Sequence, residues 1–481
     1  MDNTAHNDRS RQLGQDPIGT LLVRFSVPAI IGMMVQSLYN IVDRIFIGQG
    51  VGALGLAGAT VGFPFMLIFM AFGMLVGIGG NTAVSIALGE GRKDYAERVL
   101  ANALVLMVAI GATLTAVGLT FLHPLLRLFG ASETIMPYAA AYMRIILFGV
   151  VINGVAFGMN NFIRGEGNPR VAMTTMLIGA VLNTILDPIF IFGLDLGIRG
   201  AALATIISQG VAAAWILWYY LGGSSTLKIR LPNLRPHRDI VVRIVALGSA
   251  PFAMQLAASA LNVVLNNQLQ VYGGDLAISA MGIIYSVGML ILMPIFGLNQ
   301  GSQPIIGYNY GARRFGRVRR ASMLAIAAAT TVATLGWLVT RVAPDQLVRL
   351  FNADNPELRT VGAHGMTVFF FVLPLVGFQI VAANYFQAVG KPRHAMFLGL
   401  SRQVIVFIPM LLILPPVFGL AGVYAAAPTA DLISAVVTGL FFFRELRTMK
   451  DDTPEREPTA APAAASEEEA AAPEPVSAAA G

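Results

Sequence analysis

The heptapeptide GNPRVAM, Gly167–Met173, returns as GKPRHAM, Gly390–Met396, 223 residues further along the chain. The same offset superposes Pro28–Met66 on Pro251–Met289, and an offset of 222 pairs LRLFG, Leu126–Gly130, with VRLFN, Val348–Asn352. Two related halves follow. Both are built from apolar runs of 20 or more residues, recurring from Leu21 to Phe443, and each run as a helix spans roughly 30 Å of hydrocarbon. With 56% hydrophobic residues, 12% charged and a mean hydropathy of +0.69, the 481-residue chain reads as a membrane protein. A β-barrel needs short alternating segments, and none appear.

Hydrophobic runs set against polar breaks give about twelve transmembrane helices, centred near residues 35, 68, 108, 148, 180, 208, 256, 290, 328, 373, 404 and 432. The predicted fold is all-α, two six-helix lobes covering residues 19–222 and 239–447, joined by a cytoplasmic linker at 223–238. Six is even, so both lobes enter the membrane in the same sense and a pseudo-twofold axis runs along the membrane normal. Residues 1–18 form a polar N-terminus without a cleavable basic-then-apolar pattern. Residues 448–481, rich in Ala, Pro and Glu, cannot bury enough to offset ordering and read as a disordered acidic tail.

Charge sets the orientation. Of the 32 Lys and Arg, Arg127, Arg199, Arg341, Arg349 and Arg359 fall on one side, and Arg44, Arg144 and Arg402 lie within spans. All the others share the side holding both termini, which places the termini in the cytoplasm. These basic loops suit anionic lipid headgroups; they lack the aromatic interleaving of a nucleic-acid surface, so no nucleic-acid partner is expected. There is no cysteine, no P-loop, no paired metal-binding histidines among five, and no nucleophile elbow. Neither an enzyme nor a cofactor is expected, and any pumping draws on an ion gradient.

Three acids sit inside spans: Asp43, Asp187 and Asp431. A charge at bilayer depth costs at least about 2.5–3.5 kcal/mol on insertion scales, which makes each a functional candidate. At the 223 offset Asp43 falls on Asn266 and Asp187 on Met410, so the second lobe closes without either carboxylate. Gln36, Asn40 and Asp43 are spaced i, i+4, i+7, one polar stripe on the first span, and Asn183 and Asp187 are spaced i, i+4 on the fifth. If the stripes face each other they form a pocket suited to a shared proton, or to Na⁺, a hard cation preferring oxygen ligands. The competing readings are a local Asp43–Arg44 ion pair, and an Asp187 that only stabilises the kink at Pro188. Asp431 has no evident partner, and Arg402 reads as snorkelling to the cytoplasmic side. Among the remaining in-span amides, Asn153, Asn266, Gln300 and Gln379 are candidates, with Asp431, for lining a substrate cleft, although most such amides bridge helices. The 21 methionines suit a promiscuous apolar surface or plain packing.

The stretches SLYNIVDRIFIGQGVGALGLAGATVGFP, RGEGNPRVAM, LNTILDPIFIFG and QAVGKPRHAM together resemble the multidrug and toxic compound extrusion (MATE) family, in its MepA-like bacterial branch. The resemblance covers roughly Gly19–Arg447. It implies a V-shaped, two-lobed antiporter of the bacterial inner membrane that expels small cationic amphipathic drugs in exchange for H⁺ or Na⁺. It makes Asp43 and Asp187 the acids of an N-lobe cation site, with Asn183 beside them and Gln36 and Asn40 as weaker members. Another branch couples through acids on the seventh and tenth spans; Pro251–Val271 and Val361–Ala388 contain none here, which favours coupling through the first lobe. The alternatives are a lipid-linked saccharide flippase of the same superfamily, which would want basic residues in the cleft, and a membrane scaffold or receptor that transports nothing.

Overall fold

The computed structural model describes residues 12–222, 225–351 and 355–449, so the expected acidic tail beyond Met449 lies outside the described residues. Among them there is no strand. Among the described residues, nine helices or helix pairs stand out as uninterrupted or singly bent spans, and two more long helices, Arg238–Gly311 and Pro415–Thr448, hide breaks at Gly274 and Gly419. The spans are Ile18–Gly50, Leu54–Gly89, Lys93–Thr120, Met136–Phe148 with Val150–Gly165, Pro169–Gly193 and Gly197–Leu221 in the first lobe. The second lobe starts with Arg238–Gly311, 74 residues, which as one helix would be about 110 Å long, several times the bilayer core. It is two spans, separated at Gly274, where φ is +60° and only a residue without Cβ sits without strain. Phe315–Val342, Pro356–Phe369 with Leu373–Ala388, Pro392–Ile413 and Pro415–Thr448 complete the lobe. The expected twelve spans are recovered in order, with the fourth and tenth bent by 55° and 49°.

The repeat seen in the sequence is also a repeat of helix stops. Gly52, Gly167 and Gly197 have positive φ, and so do Gly274, Gly390 and Gly419, 222 or 223 residues later. After Gly167 the Asn168 N–H donates to the Ile163 carbonyl at 3.1 Å, and after Gly390 the Lys391 N–H donates to Phe386 at 2.8 Å. These are the six-to-one bonds that terminate a helix through a left-handed glycine. The shared GxP turn thus has a backbone reason.

The lobes meet at the end that carries the basic loops. Gly79 and Leu75 of the second span pack directly on Ile244 and Gly248 of the seventh, and Gly89 and Ile86 on Tyr308 and Gly311 of the eighth. Gly297 and Gly301 of the eighth span let in Ile30 and Ser26 of the first. Small residues allow backbones to touch where lipid supplies no hydrophobic drive of its own. Gln303 donates to Thr82 at 3.3 Å across the same seam. Near mid-depth the rings of Phe72 and Phe252, 5.0 Å apart, close the clasp. Beyond them, among the described residues, no hydrogen bond or ring pair joins the lobes, so the cleft opens away from the basic end.

The first span is shared between lobes. Leu13, Ile18, Leu21, Leu22 and Phe25 belong to the core formed by the second lobe's Ile295, Leu298, Ile305, Val318 and Tyr385. Ile47, at the other end, packs in a first-lobe core with Tyr142 and Ile191. The chain leading into this span is pinned as well: Asn309 donates to the Leu13 carbonyl at 2.9 Å, and Arg317 to those of Leu13 and Asp16 at 3.2 and 2.6 Å. Leu13 is fully buried. Leu13→Asp puts a charge into this seam, a cost of several kcal/mol borne by the clasped arrangement. In a Ser26→Cys background, where the introduced thiol is the chain's sole one, we expect maleimide labelling to speed up about tenfold or more, matching a shift of at least about 1.4 kcal/mol.

The linker is not a free loop. Ser225 Oγ and the Leu227 N–H donate to Glu166 at 2.6 and 3.1 Å, Arg230 pairs with Glu97 at 2.9 Å, and Asn102 bonds both Asn233 and His237. Glu97, Glu166 and Asn102 are all buried. The expected linker is, over residues 225–237, a strap bound to the first lobe, because two carboxylates supply acceptors for its backbone.

Candidate ion site and cleft

The two predicted stripes do face each other. Asp43 of the first span and Asp187 of the fifth bring their carboxyl groups within hydrogen-bonding reach. Asp187 is fully buried, and its Oδ1 accepts from Asn183 Nδ2 at 3.3 Å. Asn183 also reaches Thr205 Oγ1 of the sixth span at 3.5 Å. Asp43 Oδ1 and Asp187 Oδ2 are buried and receive no hydrogen bond from any protein group. Two carboxyl groups in contact, each with one buried oxygen that no protein donor reaches, favour a proton or a cation between them.

Local structure positions the pair. Pro188 has no N–H to return to the preceding turn, and the helix widens at once into a π-turn over Ile189–Gly193. Asp187 therefore sits on the last regular turn before the widening. On the first span Asn40 Nδ2 donates to its own helix, to the Gln36 carbonyl at 2.8 Å, and the Asn40 side chain stays exposed. Gln36 meets the side chain of Tyr39 instead. Tyr39 and the buried Tyr142 both feel the charges of Asp43 and Asp187. Tyr39, Tyr142 and Thr205 were not predicted; aromatic and hydroxyl residues in an apolar run carry no signal until the helices are assembled. Arg44 lies over the Phe63 ring, 5.9 Å from its centroid, and among the described residues no ion pair joins it to Asp43. Arg44 thus acts on Asp43 through its charge, without the ion pair that the local reading required.

The cleft candidates scatter. Asn153 and Asn266 are exposed. Gln379 is buried and donates to Ser434 at 2.7 Å, so it bridges the tenth and twelfth spans within its lobe rather than lining open space. Gln300 accepts from Arg164 across the lobes. Arg164 read as a loop cation; it is instead almost fully buried, also bonded to Asn160, with its Nε unpartnered. Asp431 does have a partner: Arg402 Nε donates to its Oδ1 at 2.5 Å. The snorkelling reading of Arg402 is corrected, because a buried carboxylate one helix away offers its charge a nearer match than the membrane surface.

Two repeated six-span lobes, clasped at one end, parted at the other and holding a carboxyl pair within one of them, define a polytopic membrane transporter. The MatE family model matches residues 28–189 and 251–413, one block in each lobe, and the chain belongs to that family. It is 28% identical over 428 residues to the multidrug export protein MepA of Staphylococcus haemolyticus (strain JCSC1435), covering 89% of this chain and 93% of that one. It is 27% identical to MepA of Staphylococcus aureus (strain MSSA476), covering 92% and 97%. Among solved structures, the outward-facing conformation of a multidrug resistance MATE family transporter of the MOP superfamily superposes with a TM-score of 0.86 at 27% identity, over 91% of this chain and 98% of that one.

Proposed function

We propose that this transporter exports cationic amphipathic compounds by secondary antiport, in exchange for H⁺ or Na⁺, with both termini in the cytoplasm. The observation that carries the reading is the Asp43–Asp187 contact: two carboxyl groups, mostly sealed in one lobe, whose unpartnered oxygens call for a positive counter-ion. Binding H⁺ or Na⁺ there changes the charge of the first lobe by one unit without touching the second. An ion drives transport only through unequal affinity for the outward- and inward-open arrangements, and burial of the pair beside the shared first span supplies such a difference. The names of the relatives support drugs as the cargo, and the clustering of basic loops supports cytoplasmic termini.

The test is ion release from purified protein. In weakly buffered detergent solution, addition of ethidium is expected to release about one H⁺ or one Na⁺ per cation bound, read by a pH indicator or a Na⁺ electrode in separate runs between pH 5 and 8. Ethidium binding without release of either ion anywhere in that range would falsify the antiport reading.

A further inference from the structure

Arg402 stands where the first lobe has no charge. At the 223 offset it falls on Gly179, which shares one helix face with Asn183 and Asp187 at i, i+4 and i+8. The face that carries the acid stripe in the first lobe therefore carries a guanidinium in the second. It lies on a π-turn, Ser401–Phe407, whose Val404 and Ile405 point outward and are exposed.

Only one corner of this guanidinium is engaged. Nε is held by Asp431, whereas among the described residues neither terminal nitrogen has a hydrogen-bond partner. The Arg402 side chain is 32% exposed against 9% for Asp431, so the ion pair is anchored on its acid side and open on its basic side. Tyr285 of the eighth span is close enough to feel the Arg402 charge, and its hydroxyl donates to Asn262 of the seventh at 3.4 Å. The Tyr285 ring meets Phe369 edge-on, 6.1 Å between centroids. Asn262 and Asn266 are exposed on the same helix, four residues apart. A planar cation with two free donors, an aromatic wall and adjacent amides thus border one part of the second lobe.

We propose that this is a subsite for an acidic group on the cargo: the terminal nitrogens of Arg402 take a carboxylate in a two-pronged contact, and Asp431 holds the guanidinium in register. The chemistry is that of the arginine fork, whose geometry matches a carboxylate and not a point charge. Because Asp431 neutralises Arg402 when no acid is bound, the lobe does not repel plain cations. Arg402 then sets how tightly a cargo bearing a carboxylate beside its cationic centre is held relative to a plain cation. This rests on the drug-export reading above, but its test does not require pumping.

Purified parent protein and its Arg402→Gln variant are titrated into rhodamine B, which carries a carboxylate and a delocalised cation, and into its ethyl ester, the same dye without the acid, with fluorescence anisotropy as the readout. The ratio of the two affinities is expected to shift about tenfold against rhodamine B in the variant, the usual worth of one charge-assisted contact. Arg402→Lys keeps a cation beside Asp431 but loses the planar fork, and covers the case in which the glutamine variant fails to insert; it should shift the same ratio about threefold. An unchanged ratio in the variant that folds, or a parent protein that binds no rhodamine B, overturns the proposal. A failure of drug export shows separately, as absence of gradient-driven efflux of the ester from vesicles.

Discussion

Asp187→Asn is expected to reduce gradient-driven efflux of a fluorescent cation from everted vesicles to the level of vesicles without transporter, a loss of at least about tenfold, while the protein inserts normally. The geometry explains why the loss is specific. The asparagine carbonyl oxygen can keep accepting from Asn183, the bond Asp187 makes at 3.3 Å. Its amide then donates towards Asp43, as a protonated carboxyl would, so the buried oxygen left without a donor gains one. The variant mimics a site whose proton never leaves. It is expected to be no less stable than the parent in thermal unfolding, yet unable to exchange its counter-ion. Efflux at the parent rate would remove Asp187 from the coupling scheme; a protein that no longer inserts would instead assign it to folding.

Gly248→Val should act on the conformational equilibrium alone. A Cβ at residue 248 would overlap the carbonyl of Leu75 in the partner lobe, and backbone offers no flexible side chain that can swing aside. Overpacking costs typically about 1–3 kcal/mol, here charged to the clasped arrangement only, which moves the population by roughly 5- to 150-fold. Spin labels on cysteines introduced at Glu90 and Arg313, both near the basic end, should report a longer and broader distance by double electron–electron resonance. The absence of native cysteine makes such labelling clean. An unaltered distance distribution would show that the lobes do not part along the Gly79–Gly248 contact.

The spans and their duplication were legible because hydropathy and glycine stops are local properties. Gly167 and Gly390 need no tertiary context to announce a turn. The acid site was legible in part: Gln36, Asn40 and Asp43 declare a stripe by spacing, and Asn183 and Asp187 another. What spacing cannot declare is a partner on a distant helix. Arg164 looks like an ordinary loop cation until Gln300, 136 residues away, closes over it. Glu97 and Glu166 look solvated until the strap of residues 225–237 is laid on them. Arg402 and Asp431 lie 29 residues apart on different spans, and only the packing of the eleventh against the twelfth unites them. Asn40 misled in the opposite direction, since its amide turns back onto its own helix.

The stitched strap also has a bearing on how the two halves recognise each other. A polypeptide broken on the N-terminal side of Ser225 leaves the C-terminal fragment with a ready-made grapple for Glu166, Glu97 and Asn102 of the other. A break after His237 leaves that grapple on the fragment it already grips. The covalent joint between halves is therefore directional, and the place where the gene is divided decides whether the pieces carry their own means of reunion.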